Sequence, residues 1–267
     1  MKRAESILPD NKRWKLVWSD EFEGTKLDTS KWDFRLNMMQ KRHTAWVGEE
    51  GISLNGESSL LFHLVRKDGE FRSSQLQTGE NYMDRPPTDA YGMFRWPIAE
   101  FSRPKFLKKY GYFECRCKFQ QKPGWWSAFW LQSPIIGASS DPGHTGVEVD
   151  IMENFDRIGT YSHNMYWGGY GKSGGNGHSG PRTMDKNTLQ DWHIFAVDWS
   201  PEGYIFYVDG KESWRFSEAV SHTEQFIMLS TECMDYRNTG AADPALKEAD
   251  GDCFEVDFVR VYDAVKD

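Results

Sequence analysis

Hydrophobic and polar positions alternate with a period of two through most of this chain. That period sends successive side chains to opposite faces of a strand. The clearest run is GYFECRCKF at 111–119, where Phe113, Cys115, Cys117 and Phe119 share one face. Tyr112, Glu114, Arg116 and Lys118 take the other. Similar runs at 14–22, 60–66, 126–132, 161–167, 193–199, 204–208, 211–216, 226–231 and 254–262 predict further strands. Asp209-Gly210 is a strong signal for a two-residue hairpin between two of them. Helical periodicity is confined to short patches such as 244–249, and 168–180 is dense in glycine. Many short strands separated by turn signals predict an all-β antiparallel sandwich.

The 267 residues show no internal repeat and no linker-like cluster of Gly and Pro. We expect an N-terminal arm at 1–13, loosely held, and one domain over 14–267, large enough to fold without staples. The net charge of −8 comes with no basic block. That argues against a nucleic-acid partner, which would need Lys and Arg to neutralise phosphates. Twelve Trp, eleven Tyr and seventeen Phe suit strands and a core, and flat rings also suit the C–H faces of sugars. Cys115 and Cys117 share a strand face and are not expected to bond each other. With Cys233 and Cys253 they are expected to be small buried thiols, with one disulfide left open. No apolar run reaches transmembrane length. The start Met1-Lys2-Arg3 leaves a cytosolic chain and an exported one, secreted, periplasmic or on the cell surface after loss of a signal peptide, both open.

The candidate chemistry lies at 148–153, EVDIME. In a strand Glu148 and Asp150 share a face, and strict alternation would put Glu153 on the other. One extra residue, a β-bulge near Ile151-Met152, returns Glu153 to the same face. Three carboxylates in a row repel and are costly to bury, so stability alone accounts poorly for them. Glycoside hydrolysis needs two carboxyl groups flanking the scissile bond. The match of 171–175 to G-x-S-x-G lacks the following helix that a nucleophile elbow needs. The seven histidines form no i,i+4 pair, which gives a metal hydrolase little support.

Several motifs in order extend this reading. They are Trp18-Ser-Asp-Glu21-Phe22, the 110–116 stretch YGYFECR, the 124–131 stretch GWWSAFWL, the acid strand, Trp199 with the 204–210 stretch YIFYVDG, and the closing strand at 254–262. Together they resemble glycoside hydrolase family 16, in its bulged-signature branch of laminarinases, agarases and porphyranases. Ser127 stands where the family usually has Pro. The resemblance implies a β-jelly-roll sandwich of the concanavalin A-like type: two curved antiparallel sheets with an open cleft. It also implies retaining, double-displacement cleavage of internal β-1,3 or β-1,4 linkages in a polysaccharide of β-glucan or β-galactan type. By the same resemblance Glu148 is the nucleophile, Glu153 the general acid/base and Asp150 the helper between them. Trp126 and Trp130 would stack on sugar. His163, on the next strand, and Glu232 would contact substrate or the acids. No cofactor is required, although many members hold a structural calcium, for which Glu21 and Asp257 are candidate ligands. The partner is a polysaccharide or oligosaccharide, and the chain is expected to act as a monomer. Two other readings stay open: a catalytically silent carbohydrate-binding module, disfavoured by the presence of all three acids, and a transglycosylase.

Overall fold

Alternation along β10 (Gly111–Lys118) sends Phe113, Cys115 and Cys117 into a large apolar core. The same parity on β11 (Trp125–Gln132) commits Trp125, Phe129 and Leu131 to that core from the opposite side. Each strand therefore lays one apolar face on the other layer, and the result is a sandwich. The computed structural model of the chain describes residues 3–36, 47–67, 70–84, 87–91, 94–97, 103–155, 159–172, 174–233 and 251–265. The helical patch at 244–249 lies outside them.

Every strand pairing among the described residues is antiparallel. In one sheet the neighbours run β18 (Lys211–Phe216), β17 (Gly203–Val208), β16 (His193–Ser200), β10, β20 (Phe254–Val265), β4 (Leu60–Phe62) and β3 (Ile52–Leu54). β1 (Arg13–Asp20) also pairs with β20. We call this the outer sheet. The second, or cleft, sheet runs β14 (Gly175–His178), β13 (Thr160–Trp167), β12 (Val147–Phe155), β11, β19 (Phe226–Cys233), β7 (Gln75–Gln77) and β2 (Asp33–Phe34). β15 (Arg182–Thr183) pairs with β13. Two hairpins stand apart, β5 (Val65–Lys67) with β6 (Glu70–Arg72) and β8 (Pro87–Tyr91) with β9 (Phe94–Pro97). The architecture is the jelly roll that the motifs imply.

Three expectations need correction. The run at 60–66 is two strands: the chain leaves the outer sheet after Phe62 and joins a separate hairpin at Val65. The glycine-rich stretch hides an edge strand, β14. Its glycines are needed because rings lie against the backbone. A Cβ at Gly175 would sit 2.2 Å from the Trp167 ring, and one at Gly177 would sit 2.4 Å from that of Phe216. Finally, residues 3–12 form no regular element, as an arm would, but they are docked on the outer sheet. The Ala4 carbonyl and Ser6 hydroxyl accept from Arg260, the Ile7 carbonyl accepts from the Tyr112 hydroxyl, and Lys12 pairs with Asp198.

The Asp209-Gly210 hairpin forms as expected, with both residues at positive φ (50° and 74°), the conformation that a two-residue turn of this twist requires. All four cysteines are free thiols, and Cys115, Cys117 and Cys233 are buried.

Candidate active site

β12 carries the acids, and its register against both neighbours shows the bulge. Against β13, Asp150 faces Asn164 and Glu153 faces Ser162, so three steps on β12 span two on its partner. Against β11 the register shifts at the same place, between Phe129 and Trp130. Val147, Val149, Ile151 and Met152 all enter the core. Two consecutive apolar residues, Ile151 and Met152, thus point the same way, and this returns Glu153 to the face of Glu148 and Asp150. Asp150 and Glu153 are only 3% and 4% exposed, and Glu148 is half-buried.

Each neighbouring strand supplies residues of matching parity. From β11, Trp126 Nε1 donates to Glu153 Oε1 at 2.9 Å, and its ring stacks on Phe155. Gln132 Nε2 donates to Glu148 Oε2 at 2.9 Å. From β13, Asn164 Nδ2 donates to Glu153 Oε2. His178 Nδ1 donates to Asn164 Oδ1 at 2.9 Å, which turns the amide nitrogen toward the acid. Burial pushes the Glu153 carboxyl above its ordinary range, and the charge of Glu148 adds to the push. Hydrogen bonds with Asn164, Asp150 and Trp126 restrain it. Such an environment favours the neutral form of Glu153 beside a less enclosed carboxyl, that of Glu148.

Trp130 lies on the same face, with Nε1 donating to Ser230 Oγ at 3.0 Å and the Arg35 guanidinium 5.6 Å from its ring centre. Glu232, on β19, is the register partner of Trp126, and its Oε1 accepts from Gln75 at 3.2 Å. Arg35 joins this end of the site through a two-pronged ion pair with Asp84 (2.6 and 2.9 Å) and a bond to Gln75. Burial opposes the Arg35 charge, and Asp84 outweighs it.

Glu148, Asp150, Glu153, Trp126, Trp130 and Glu232 therefore share one face, as the sequence suggests. His163 does not join them. It has the parity of Tyr161 and Met165, is fully buried between the sheets, and packs on Phe206 at 4.8 Å. Its Nδ1 donates to the Ile151 carbonyl at 2.6 Å, and its Nε2 accepts from Ser213. Burial lowers its pKa to about 4, so it is a neutral strut holding the bulge. Glu21 and Asp257 make a poor calcium donor set. Glu21 forms a two-pronged pair with Arg260, and Asp257 pairs with Arg116, so a guanidinium already neutralises each. Among the described residues no group of three His, Cys, Asp or Glu is arranged to hold a metal.

Sequence reasoning missed Asn164, Gln132 and Tyr170. Tyr170 reaches in from the loop after β13, and its hydroxyl donates to Glu148 Oε2. Parity on β13 could have found Asn164, since it pairs with Asp150 across the strands.

A strip of carboxyl groups flanked by indoles on one sheet of a jelly roll is the arrangement that carbohydrate cleavage needs. Residues 93–238 match the family described as Glycosyl hydrolases family 16, and the chain belongs to it. It is 24% identical over 92% of its length to glucan endo-1,3-beta-glucosidase A1 of Niallia circulans, and spans 37% of that protein. It is 26% identical over 95% of its length to beta-porphyranase C of Zobellia galactanivorans, of which it spans 79%. The laminarinase structure from Rhodothermus marinus superposes with a TM-score of 0.70 at 22% identity, covering 96% of this chain and all of that one. Among the described residues no helix is long and apolar enough to cross a membrane.

Proposed function

We propose that this chain is a retaining endo-hydrolase of internal β-linkages, β-1,3 or β-1,4, in a β-glucan or β-galactan. The observation that carries this reading is the bulged strip itself. A half-buried Glu148 and a buried Glu153 with a raised pKa lie on one face, with Asp150 between them. In the first step Glu148 attacks the anomeric carbon while Glu153 gives its proton to the departing glycosidic oxygen. In the second, Glu153 takes a proton from water, the water oxygen bonds to the anomeric carbon, and Glu148 leaves as a carboxylate. Asp150 hydrogen-bonds Glu153 and fixes its orientation between the two steps. Carboxyl chemistry suffices, so no cofactor is required. Trp126 and Trp130 border the strip and suit the apolar faces of sugar rings, and the chain acts as a monomer. The relatives' names divide between glucan and porphyran, so both polymer types belong in the test.

A reducing-end assay on laminarin, lichenan, agarose, porphyran, κ-carrageenan, keratan sulfate and mucin O-glycans tests this directly. Wild type is expected to cleave at least one polymer, with the product's anomeric configuration retained by NMR. Glu148→Gln is expected to lose at least about 10³-fold in rate, since removing a catalytic nucleophile commonly costs more than that. Inverted product, or an undiminished Glu148→Gln, would sink the assignment. Light scattering at the assay concentration checks the monomer.

A further inference from the structure

Glu148 is held by a closed ring of three hydrogen bonds. Gln132 Nε2 donates to Glu148 Oε2 at 2.9 Å and to the Tyr170 oxygen at 2.7 Å, and the Tyr170 hydroxyl donates to the same Oε2. The donor count balances, because an amide nitrogen has two hydrogens and a phenol has one. The orientation of Gln132 is also set: it is buried, and its Oε1 accepts from Asn81 Nδ2 at 3.3 Å. Tyr170 is held differently. It sits among Gly168, Gly169 and Gly171, all at positive φ (67°, 90° and 87°), on a loop that touches the 133–141 loop backbone to backbone. A Cβ at Gly137 would lie 3.1 Å from the Gly169 Cα, a tight contact, and the φ of 77° there favours glycine as well. The Tyr170 residue is 44% exposed although its hydroxyl is engaged. Enclosure of that hydroxyl and the neighbouring Glu148 charge push the phenol well above its ordinary pKa, so it remains a donor.

We propose that Tyr170 is a positioning residue for the second half of the reaction, stabilising Glu148 as it departs from the sugar as a carboxylate. The proposal rests on the hydrolase reading above. Both donors converge on Oε2, which assigns attack to Oε1. In the first step the Oε1–anomeric carbon bond forms, the glycosidic C–O bond breaks with its oxygen taking the Glu153 proton, and Glu148 loses its negative charge to the ester. A donor on Oε2 is strongest when the carboxylate is charged, so it does not favour that step. In the second step water gives a proton to Glu153 and its oxygen bonds to the anomeric carbon as the ester bond breaks; the ester's electron pair returns to Glu148, and the charge reappears at the carboxyl that Tyr170 and Gln132 face. The donors then bind the transition state more tightly than the glycosyl-enzyme and hasten release.

The test compares Tyr170→Phe with wild type on a short oligosaccharide of whichever polymer wild type cleaves fastest, with the fold checked by circular dichroism. Expected is a kcat lower by about tenfold or more, the usual scale for one hydrogen bond to a charged group. KM falls with it, kcat/KM stays within about twofold, and acid-quenched turnover mixtures show a glycosyl adduct on the peptide carrying Glu148. Parallel losses in kcat and kcat/KM without adduct would make Tyr170 part of the substrate wall only, and overturn the proposal. Kinetics identical to wild type would overturn it too. A wild type silent on every polymer would overturn the hydrolase reading and this inference with it, so the two failures are distinguishable.

Discussion

At the scale of single residues the site divides its carboxyls by environment rather than by type. Glu148 and Glu153 are chemically identical, yet one is half-buried and faces two donors, while the other is nearly enclosed. As the acid of the proposed mechanism Glu153 would begin each turnover protonated, and burial favours that form against the pull of Asn164, Asp150 and Trp126. The sign of the resulting pH effect is fixed. Removing a donor to the carboxylate favours the neutral form, so the Glu153 pKa rises further and the acid stays loaded to higher pH. Asn164→Ala is therefore expected to move the basic limb of the kcat/KM profile upward, and Trp126→Phe to move it the same way by less. A limb that stays in place, or moves down, in Asn164→Ala would mean that another group is the acid. His163 shows how residue type can mislead. Its chemistry suggests a substrate contact, but its parity on β13 places it in the core, one position from the asparagine that does the work.

At the scale of elements the bulge in β12 decides whether there is a site at all. Without it Glu153 would share the core face with Val147 and Val149. Deleting Ile151 should remove the bulge together with its extra residue and leave the three acids at offsets of zero, two and four, which share a face by plain alternation. The expected protein retains its β circular dichroism and turns over well above the level of Glu148→Gln; activity no higher than that of Glu148→Gln would refute the reading of the bulge as a device that returns Glu153 to the face of Glu148. This element was legible from sequence because its signal is local. Three acids at offsets of zero, two and five need one extra residue to share a face. Trp126, Trp130 and Glu232 were legible for a similar reason, each having a parity that a single strand reveals. Gln132 and Tyr170 were not, since their meaning depends on which strands and loops lie side by side. β14 was hidden because glycines that make room for the Trp167 and Phe216 rings look like loop. The docking of the arm was hidden because 3–12 has no periodicity of its own.

At the scale of the whole molecule that arm closes the second face of the outer sheet. Tyr112, Tyr207 and Tyr262 form a small cluster beneath it, packed with Leu8 and Trp14. Glu114 is sealed among them at 0% exposure, with the Tyr262 hydroxyl within 3.3 Å of its Oε1 and no partner for its Oε2 among the described residues. Burial raises its pKa from 4.5 to about 7, more than Ser6, Arg260 and Tyr262 can offset. A carboxyl raised in this way binds its proton more tightly in the folded state than in the unfolded one. Stability therefore falls as pH climbs from the unfolded value near 4.5 to the folded value near 7, and the loss is complete above 7. Each pH unit between those values is worth about 1.4 kcal/mol, so Glu114 alone withdraws on the order of 3 kcal/mol. The cleft acids lie on the other sheet and do not share this network. Glu114→Gln keeps the shape of the side chain and removes its titration. Urea midpoints measured at pH 5 and pH 8 are expected to differ less in Glu114→Gln than in wild type, with most of the gain at pH 8. Equal pH dependence in the two proteins would show that the arm's cover over Glu114 opens to water in solution, and that the carboxyl titrates there as an ordinary surface group.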